Sequence, residues 1–339
     1  MPKVAVVILN WNGKKFLEKF LPTVIKFSKK DAEIVVADNA SNDDSVAFLK
    51  NNFPEINIIE LSENYGFAGG YNKALQQIEA TYYVLLNSDV EVTENWINPV
   101  VEIMEQDASV AACQPKILSY VEKSKFEYAG AAGGFIDQYG YPFCRGRVFL
   151  TTETDSGQYD NECEIFWATG ACLFIRSGLF HKASGFDADF FAHMEEIDLC
   201  WRLKNMGYKI MYSPHSTVYH VGGGTLPKTN PRKTYLNFRN NLMMLAKNLP
   251  SSLLFPVLFS RLILDGIAGL KFLIAGQVPD FFSIIKAHFS FYFSIGKTAG
   301  KRKQINPKHL PSGIYTKNLV VEYYLKGRKF FTQLSGSFR

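Results

Sequence analysis

The 339-residue sequence is poor in cysteine and carries no strong excess of charge of either sign. Its five cysteines are odd in number and widely spaced, and no Cys-x-x-Cys pair occurs: Cys113, Cys144, Cys163, Cys172 and Cys200. We therefore expect neither a disulfide framework nor a zinc site, and a reducing cytoplasm fits best. The formal net charge of +5 is too small to indicate a nucleic-acid-binding protein.

A hydrophobic leader is also missing before the first predicted strand. The apolar run Val4–Leu9 is short and is followed at once by Asn10, Asn12 and Gly13, so we expect no signal peptide. Apolar residues make up 47% of the chain and charged residues 20%. These proportions are typical of a globular protein with a sizeable core, and they argue against a disordered chain.

Short β-branched runs alternate with longer amphipathic segments in the first hundred residues. This alternation predicts an α/β fold with a mostly parallel sheet and right-handed crossovers. The predicted strands are Val4–Leu9, Glu33–Ala37, Ile56–Leu61 and Tyr82–Leu86, and the helices are Lys14–Phe27, Ser45–Asn52, Ala68–Ile78 and Trp96–Met104. Later segments predict a strand pair around Gly170 in Glu164–Ile175, a helix over Glu196–Met206, and strands at Lys209–Tyr212 and Thr217–Tyr219.

The C-terminal part of the chain differs in composition. Ser251–Gly276 is strongly apolar but is interrupted by Arg261, Asp265 and Lys271, and on a helix Arg261 and Asp265 lie within about 40° of each other. Charges in the middle of the segment make a spanning helix a poor interpretation. We expect an amphipathic helix in a membrane interface, or alternatively a helix packed on the globular body. Basic residues become frequent after it, which indicates an anionic surface nearby: Lys297, Lys301, Arg302, Lys303, Lys308, Lys317, Lys326, Arg328 and Lys329.

Polar clusters follow each of the four N-terminal strands: Asn10–Gly13, Asp38–Ser45, Asn64–Asn72 and Asn87–Glu91. Because ligands of open parallel sheets bind at the carboxyl ends of the strands, we expect one shared polar cleft. Asn, Asp and Gly are also common in turns, so a single loop of this kind would indicate little.

The chemistry of these clusters suits a nucleotide and a divalent metal. Asp38 can accept hydrogen bonds from a base or ribose, and Asp89 offers a hard oxygen ligand to Mg²⁺ or Mn²⁺. Gly66, Gly69 and Gly70 allow close backbone approach and open a helix whose N-terminus favours a diphosphate. The glycines do not form a G-x-G-x-x-G motif and follow the third strand, which argues against a dinucleotide dehydrogenase.

Three acids in four residues form a second candidate site, Glu195, Glu196 and Asp198. On a helix Glu196 and Asp198 lie about 200° apart and cannot share a face. One acid could point into the cleft while Asp198 pairs with Arg202 at i,i+4. Capping of the helix by acids is the alternative.

A third candidate is His220, which begins the run His220–Thr225 with its three glycines. Beside an acidic cleft it is a candidate metal ligand, although a lone histidine is usually structural. Residues that could meet a diphosphate follow it: Arg232, Lys233, Arg239 and Asn240.

Together these motifs resemble the inverting glycosyltransferases of family 2, which have the GT-A fold. The resemblance covers about residues 3–245, and the motifs occur in the family's order. It is greatest to the branch of rhamnosyltransferases and galactofuranosyltransferases that build cell-surface polysaccharide. It implies a GT-A domain over 1–245, with a nucleotide-binding half (1–108) and an acceptor-binding half (109–245), followed by a helical and basic tail (246–339).

The resemblance also implies roles for single residues. Asp38 would contact the base, Asp89 would bind Mg²⁺ or Mn²⁺ together with His220, and Glu196 would be the catalytic base, ahead of Glu195 and Asp198. Glu196 stands where the family has Asp, and Asn87 and Ser88 replace the first two positions of the family's metal-binding motif. Further expected contacts to the nucleotide sugar are Asn10, Asn12, Asn64, Gly66, Gly70, Asn72, Asn87, Ser88, Arg232 and Arg239.

The activity that follows is a single displacement with inversion. A sugar would pass from a nucleoside-diphosphate sugar, such as a dTDP- or UDP-sugar, to a hydroxyl of a glycan or lipid-linked glycan. We expect an enzyme that is cytoplasmic and bound peripherally to the inner face of the plasma membrane, with no nucleic-acid partner. The alternatives are another nucleotide-sugar enzyme, such as a nucleotidyltransferase or epimerase, and a non-catalytic protein of the same fold. An epimerase would need a nicotinamide fingerprint and a Tyr-x-x-x-Lys pair, and neither occurs in a suitable place.

Overall fold

An open sheet, parallel on one side, organises the N-terminal half of the protein. The computed structural model describes residues 3–222, 230–334 and 338–339. The first elements are β1 (Val4–Asn10), α1 (Lys14–Ser28), β2 (Glu33–Asp38), α2 (Ser45–Asn52), β3 (Asn57–Glu60), α3 (Gly66–Leu75), β4 (Tyr82–Asn87), β5 (Val90–Val92) and α4 (Asn98–Gln106). The predicted alternation is confirmed, with boundaries moved by at most three residues.

The two faces of this sheet are both covered. In β1, Ala5 and Val7 join one hydrophobic cluster, whereas Val4, Val6 and Ile8 join another on the opposite face. Alternate side chains of a strand point to opposite faces, so a strand buried on both sides becomes a continuous apolar run. This explains why residues 4–9 of β1 are all apolar.

The remaining elements complete this sheet and add a smaller one. They are β6 (Val110–Ser119), β7 (Gly134–Asp137), β8 (Pro142–Cys144), β9 (Arg147–Val148), β10 (Thr151–Thr152), β11 (Cys163–Ile165), β12 (Cys172–Arg176), α5 (Ser177–Lys182), α6 (Glu195–Asn205), β13 (Lys209–His220), α7 (Pro231–Asn248), α8 (Ser251–Ile274), α9 (Val278–Phe293), α10 (Ile295–Ile305) and β14 (Ile314–Tyr315). Short 3-10 or π turns occupy Ala188–Phe190, Val321–Leu325 and Phe331–Gln333.

The strand order within the described residues is β11-β13-β6-β12-β4-β1-β2-β3, with β5 paired to β13. Strands β1 to β4 pair in parallel, while β12 runs antiparallel between β4 and β6. The predicted strand pair around Gly170 is therefore wrong: both strands form, but β11 pairs with β13 and β12 enters the sheet centre. The two strands predicted near residues 209–219 are one strand, β13, with a register shift between Ser213 and Thr217.

The C-terminal region packs on the body and contributes a strand to it. In the smaller sheet, ordered β10-β9-β8-β7-β14, Ile314 of β14 pairs in parallel with Ile136 of β7. The sequence predicts a division of the chain into a domain, 1–245, and a tail, 246–339, but helix α7 runs across that position. The division stays a prediction.

Helix α8 turns its two mid-helix charges toward the body. Arg261 and Asp265 are 2% and 0% exposed, and Nη2 of Arg261 lies 2.9 Å from Oδ1 of Asp265. Arg261 also donates to the carbonyl of Tyr139 and to the side chain of Asn241, and Nε2 of His288 in α9 lies 3.1 Å from Asp265. The charges that interrupt the apolar segment therefore attach it to the protein. By length and composition, α8 is the one described helix that could cross a membrane, and 22% of its apolar window is buried.

The opposite sides of α8 and α9 expose large apolar side chains, which we call the apolar face. Its members are Phe255, Phe259, Leu262, Ile263, Ile267, Leu270, Leu273, Ile274, Val278, Phe282, Ile285, Phe289, Tyr292 and Phe293. Large apolar side chains exposed in such number on two adjacent helices commonly mark a protein or membrane contact.

Candidate active site

Asp38 lies buried at the carboxyl end of β2, where neighbouring loops bond to it. Nδ2 of Asn10 donates to its Oδ1 at 2.9 Å, and Ser41 donates to it through both its amide, at 2.9 Å, and its hydroxyl, at 2.6 Å. Register β1–β2 pairs Asn10 with Asp38, which explains why the two meet. A carboxylate offers about four acceptor positions, so one remains for a ligand. Oδ1 of Asn10 is buried without a hydrogen-bond partner in the described part of the chain.

The loop after β1 is tied to the loop after β2. Oδ1 of Asn12 accepts bonds from the backbone amides of Asn42, at 2.7 Å, and Asp43, at 3.3 Å. Ser88 lies opposite, since a Cβ on Gly13 would come within 3.4 Å of the Ser88 hydroxyl. The predicted loops at this edge of the sheet are thus neighbours in space, as parallel topology requires.

The N-terminus of α3 is already capped by another part of the protein. The amides of Phe67 and Ala68 donate to the carbonyl of Phe191 at 2.8 and 3.2 Å, and Oδ1 of Asn64 accepts from the amide of Gly66 at 2.9 Å. The hydrogens of these amides are therefore in use in this structure, and the predicted contact of the helix N-terminus with a diphosphate stays a prediction.

The glycines of this helix and Asn72 have structural reasons of their own. Gly66 has a φ of +70°, and a Cβ there would come within 2.7 Å of the Phe191 carbonyl oxygen. A Cβ on Gly70 would come within 3.0 Å of Leu9 and 3.1 Å of the Asn39 amide. Nδ2 of Asn72 donates to the carbonyl of Phe186 at 2.8 Å, and Oδ1 of Asn72 accepts from the backbone amide of Phe186 at 2.9 Å. Contacts of these residues with a nucleotide sugar stay predictions.

Asp89 and His220 come together because β5 pairs with β13, which sets Val90 opposite His220. Oδ1 of Asp89 lies 3.1 Å from Nε2 of His220, both side chains are buried, and Nδ2 of Asn87 lies 3.4 Å from the same nitrogen. The predicted juxtaposition of Asp89 and His220 is present. Gly223–Thr225, the end of the predicted His220 motif, lies outside the described residues.

Glu127, which the sequence did not single out, holds the other side of the His220 ring. Its Oε2 lies 3.3 Å from Nδ1 of His220. Burial disfavours the charged ring, but the carboxylates of Glu127 and Asp89 outweigh burial and raise the pKa of His220 to about 10. The same contact keeps the pKa values of Asp89 and Glu127 below their usual range despite burial. No local motif marks Glu127, which lies in the connection between β6 and β7.

The donor set of Asp89 and His220 fits a divalent metal. A carboxylate oxygen and a neutral imidazole nitrogen are both suitable ligands, so an ion here would take the place of the Nε2 proton that the raised pKa keeps on His220. A histidine whose second nitrogen lies against a carboxylate, as Nδ1 lies against Glu127, is typical of metal sites. The described residues contain no group of three or more His, Cys, Asp or Glu side chains arranged to hold an ion alone. Remaining ligands would have to come from phosphate oxygens and water.

The acid cluster begins α6. Oε2 of Glu195 and Oε2 of Glu196 are both buried and have no hydrogen-bond partner among the described residues. Burial raises the pKa of Glu196 to about 7, against weaker lowering by backbone amides. Burial, followed by the charges of Glu196 and Asp198, raises the pKa of Glu195 well above its usual range. Unpartnered carboxyls with shifted pKa values are typical of functional sites.

Asp198 has a different environment. It accepts bonds from Nε of Arg202 at 2.9 Å, from Nζ of Lys247 at 2.9 Å and from Nδ2 of Asn248 at 2.8 Å. The predicted pairing with Arg202 is confirmed. With both oxygens bonded inside the fold, Asp198 attaches α6 to α7, and the structure does not favour it as a catalytic acid or base.

The acid loop, residues 190–194, leads into α6 in an unusual conformation. Phe191, His193 and Met194 have φ values of 64°, 71° and 71°, a left-handed region that costs non-glycine residues about 1–3 kcal/mol each. Nε2 of His193 is buried without a partner in the described chain, and burial lowers the pKa of this ring to about 4, so it is neutral at pH 7.

Helix α7 holds this loop. Nδ2 of Asn240 lies 3.0, 2.9 and 2.8 Å from the carbonyls of Phe190, Ala192 and His193, and Arg239 donates to the carbonyls of Asp189 and Phe190. Arg239 thus binds backbone carbonyls next to and within the acid loop. The sequence instead predicts that it contacts a diphosphate.

The acid loop and the Asp38 loop lie at the same edge of the sheet. Nδ2 of Asn39 donates to the carbonyl of Gly66 at 3.0 Å, and the next amides of α3 bond to Phe191. Arg232 is exposed nearby, with Cζ 5.0 Å from the centroid of the Phe191 ring.

Comparison with known proteins agrees with this architecture. Residues 5–158 match the family model described as Glycosyl transferase family 2. N-acetylglucosaminyl-diphospho-decaprenol L-rhamnosyltransferase of Mycobacterium tuberculosis is 22% identical over 229 residues, which are 63% of this chain and 75% of that protein. Low-salt glycan biosynthesis hexosyltransferase Agl10 of Haloferax volcanii is 21% identical over 248 residues, 71% of this chain and 74% of that protein.

Solved structures show the same fold. GalNAc-T7 with UDP, GalNAc and Mn²⁺ superposes with a TM-score of 0.56 and 17% identity over 73% of this chain, which spans 48% of that one. The mannosyltransferase PcManGT of Pyrobaculum calidifontis, in complex with GDP-Man and Mn²⁺, gives 0.52 and 14% over 90% of this chain and 85% of that one. Residues 5–158 therefore match a glycosyltransferase family 2 domain, and the strand order and the superposed structures show the GT-A fold.

Proposed function

We propose that the protein is an inverting glycosyltransferase that moves a sugar from a nucleoside-diphosphate sugar to a hydroxyl of a lipid-linked glycan. The observation that carries this proposal is the pair of carboxylate oxygens, Oε2 of Glu195 and Oε2 of Glu196, that are buried and unpartnered among the described residues. They lie at the sheet edge that also holds Asp38, Asp89 and His220. The names of two relatives support the acceptor class: the rhamnosyltransferase above, and a GalNAc(5)-diNAcBac-PP-undecaprenol β-1,3-glucosyltransferase of Campylobacter jejuni, 28% identical over 106 residues.

Glu196 is the base in this proposal. An acceptor hydroxyl is a poor nucleophile at neutral pH, so a positioned carboxylate must take its proton as the new bond forms. The acceptor oxygen bonds to the anomeric carbon, the bond from that carbon to the diphosphate oxygen breaks, and the proton passes to Glu196. One displacement of this kind inverts the anomeric configuration. The raised pKa of Glu195 supports one proton on the pair, carried by Glu195, with Glu196 as the carboxylate.

The nucleotide end of the donor belongs, in this proposal, to the loops after β1, β2 and β4. Asp38 takes the base or ribose of a dTDP- or UDP-sugar, beside the unpartnered oxygen of Asn10. Asp89 and His220 would hold Mg²⁺ or Mn²⁺, which supplies positive charge to the departing diphosphate. Glu127 fixes the ring of His220, so that Nε2 faces Asp89.

We also propose that the protein lies on the inner face of the plasma membrane, through the apolar face of α8 and α9. Residues 251–339 contain 13 Lys and Arg against three Asp and Glu. Basic residues in the same region as an apolar face favour binding to anionic lipid headgroups. The inward pairing of Arg261 and Asp265 favours a helix lying on the bilayer over one that spans it.

A thermal-shift screen of nucleoside diphosphates and their sugars, with Mn²⁺ or with EDTA, tests the donor site, since a ligand stabilises the fold according to its saturation. We expect one nucleotide to raise the melting temperature more in Mn²⁺. The matching sugar nucleotide should be hydrolysed slowly by the purified protein. A nucleotide that binds without any hydrolysis or transfer would favour the alternative, a non-catalytic protein of the same fold. That alternative is tested because Asn87 and Ser88 replace the first two positions of the family's metal-binding motif.

A further inference from the structure

A basic cleft lies between α7 and α9, apart from the residues proposed to hold the donor. Its volume is about 350 Å³, and it is lined by Pro231, Arg232, Tyr235, Ser283 and Lys286. Helix α7 supplies the first three residues and α9 the other two. The cleft therefore joins the helix that holds the acid loop to a helix that carries the apolar face.

The two cations of this cleft are not neutralised within the protein. Among the described residues, neither Arg232 nor Lys286 forms an ion pair with a carboxylate, whereas Lys297 and Lys301 on the following helix both pair with Asp189. Cζ of Arg232 lies over the Phe191 ring, and Nζ of Lys286 lies 5.3 Å from the centroid of the Tyr235 ring. Two such cations beside hydroxyl groups form a site suited to a phosphate.

Tyr235, which lines the cleft, is fixed in place. Its hydroxyl donates to Oγ of Ser290 at 2.9 Å and accepts from Nη1 of Arg239 at 3.4 Å. The carboxylate of Asp280, at the start of α9, accepts a bond from the hydroxyl of Thr234. One wall of the cleft is thus rigid.

The cleft lies between the acid loop and the apolar face, the two surfaces that a lipid-linked acceptor must reach. On one side, Arg232 contacts Phe191 of the acid loop, four residues before Glu195. On the other side, Lys286 is flanked on α9 by Phe282, Ile285 and Phe289, which are 60%, 38% and 58% exposed. A ligand with a sugar, a phosphate and an apolar chain in that order matches this sequence of surfaces.

We propose that the basic cleft binds the phosphate or diphosphate of a lipid-linked acceptor, with the sugar directed to the acid loop and the lipid chain along the apolar face. This inference rests on the proposed function and names a site for its acceptor. Arg232 then serves the acceptor and not the donor diphosphate, because it lines the cleft together with Lys286 of α9, whereas the proposed donor ligands Asp89 and His220 lie at the ends of β-strands.

Farnesyl diphosphate is a suitable probe, because it carries the diphosphate and a short prenyl chain without any sugar. Its equilibrium binding can be compared with that of farnesol, inorganic pyrophosphate and UDP. The test variant is Arg232→Ala/Lys286→Ala. The matched control is Lys303→Ala/Lys308→Ala, which removes two exposed charges from the same basic region but outside the cleft.

We expect farnesyl diphosphate to bind the wild type more tightly than farnesol or pyrophosphate, also in saturating UDP with Mn²⁺. The cleft variant should weaken this binding about 10- to 100-fold, as the loss of charge-assisted hydrogen bonds implies, and leave UDP binding unchanged. The control variant should match the wild type. Unchanged binding of farnesyl diphosphate to the cleft variant would overturn the proposal.

Two other results distinguish this proposal from binding of the donor in the cleft and from the proposed glycosyltransfer itself. Displacement of farnesyl diphosphate by UDP, with equal loss of both ligands in the cleft variant, would assign the cleft to the donor and overturn the inference. Failure of every nucleoside diphosphate to bind the wild type would instead count against the proposed glycosyltransfer, while tight, cleft-dependent binding of farnesyl diphosphate would still support the cleft.

Discussion

At the scale of single residues, the environment of Glu196 makes the sharpest prediction. Glu196→Gln keeps the size of the side chain and removes the base, so turnover should fall about 10²- to 10⁴-fold. Donor binding should be nearly unchanged, because the nucleotide is proposed to contact Asp38 and Asp89. Steady-state transfer assays together with nucleotide titrations measure both effects.

The neighbours of Glu196 provide the controls. Asp198→Asn is expected to act on stability, because Asp198 bonds to Arg202, Lys247 and Asn248 inside the fold. If Glu196→Gln retains activity and Glu195→Gln does not, the cluster is correct and the choice within it is wrong. Full activity in both variants would place the base elsewhere.

The pKa of Glu196 predicts the acid side of the pH profile. Burial raises this pKa to about 7, and the base must be ionised to accept a proton, so kcat/KM should increase as pH rises through about 7 and level off above it. A pH series between 5.5 and 8.5, at fixed ionic strength, measures this limb. A profile that is flat from pH 6 to 8 would disagree with Glu196 as the base.

Asp89 gives a metal-dependent prediction. Because Asp89 is, among the described residues, the carboxylate that lies against Nε2 of His220, Asp89→Ala should weaken nucleotide binding in Mn²⁺ but not in EDTA. Chelation should abolish transfer by the wild type, and weak metal affinity should make the effect reversible on adding Mn²⁺. Full transfer in EDTA would contradict metal dependence.

The residues of the site differ in how well the sequence could reveal them. Asp38 directly follows one predicted strand and Asp89 comes three residues after another, so topology alone places them at one edge. Glu127 contacts His220 through a long connection that has no periodicity or motif, and only the folded chain shows the contact. The occupied amides of α3 were equally hidden, because their partner Phe191 lies more than 120 residues later in the chain.

At the scale of elements, the acid loop and α7 form a unit. Asn240→Ala removes the amide that bonds to three loop carbonyls, and the left-handed residues 191, 193 and 194 should then relax and displace Glu195 and Glu196. We expect a loss of turnover of about 10-fold or more, since small displacements of catalytic groups are costly, with donor affinity little changed. Asn237→Ala, one turn earlier on the same helix, is the matched control.

A readout of folding keeps this prediction testable, because Asn240 is fully buried. Nucleotide-induced thermal stabilisation shows whether the Asn240 variant still has a native donor site. A folded variant with wild-type turnover would mean that the loop keeps its conformation without the amide.

The elements themselves divide into local and non-local ones. Strands β1 to β4 and their helices follow from periodicity, because neighbouring elements in the sequence are neighbours in the sheet. Strand β12 enters between β4 and β6, and β13 crosses to pair with β5, β6 and β11. These pairings join residues far apart in the sequence, so short-range patterns predict the strands but not their partners.

At the scale of the whole molecule, charge is distributed unevenly. Residues 251–339 have a formal charge of +10, so the rest of the chain carries −5. We expect the protein to cosediment with vesicles that contain anionic lipid, and to do so less as salt increases. Substituting Ser for Phe259, Ile267 and Phe289 should abolish this binding and preserve nucleotide binding.

Val121→Ser/Leu150→Ser supplies the control, because these side chains are 78% and 75% exposed and lie outside the apolar face. If the protein with an intact apolar face ignores anionic vesicles, the membrane proposal fails. Substitution is preferable to truncation here, since β14 belongs to the same sheet as β7.

That pairing of β14 with β7 also bears on the order in which the molecule can be assembled. Ile136 and Ile314 are separated by 178 residues, and contacts between distant residues form late because closing a long loop is entropically costly. On the ribosome, β1 to β4 have the residues they need early, whereas β7 gains its last neighbour only after α8, α9 and α10 have been synthesised. The half of the chain proposed to bind the acceptor is therefore completed after the helices proposed to meet the membrane have emerged, and a bilayer can already be present when the chain finishes folding.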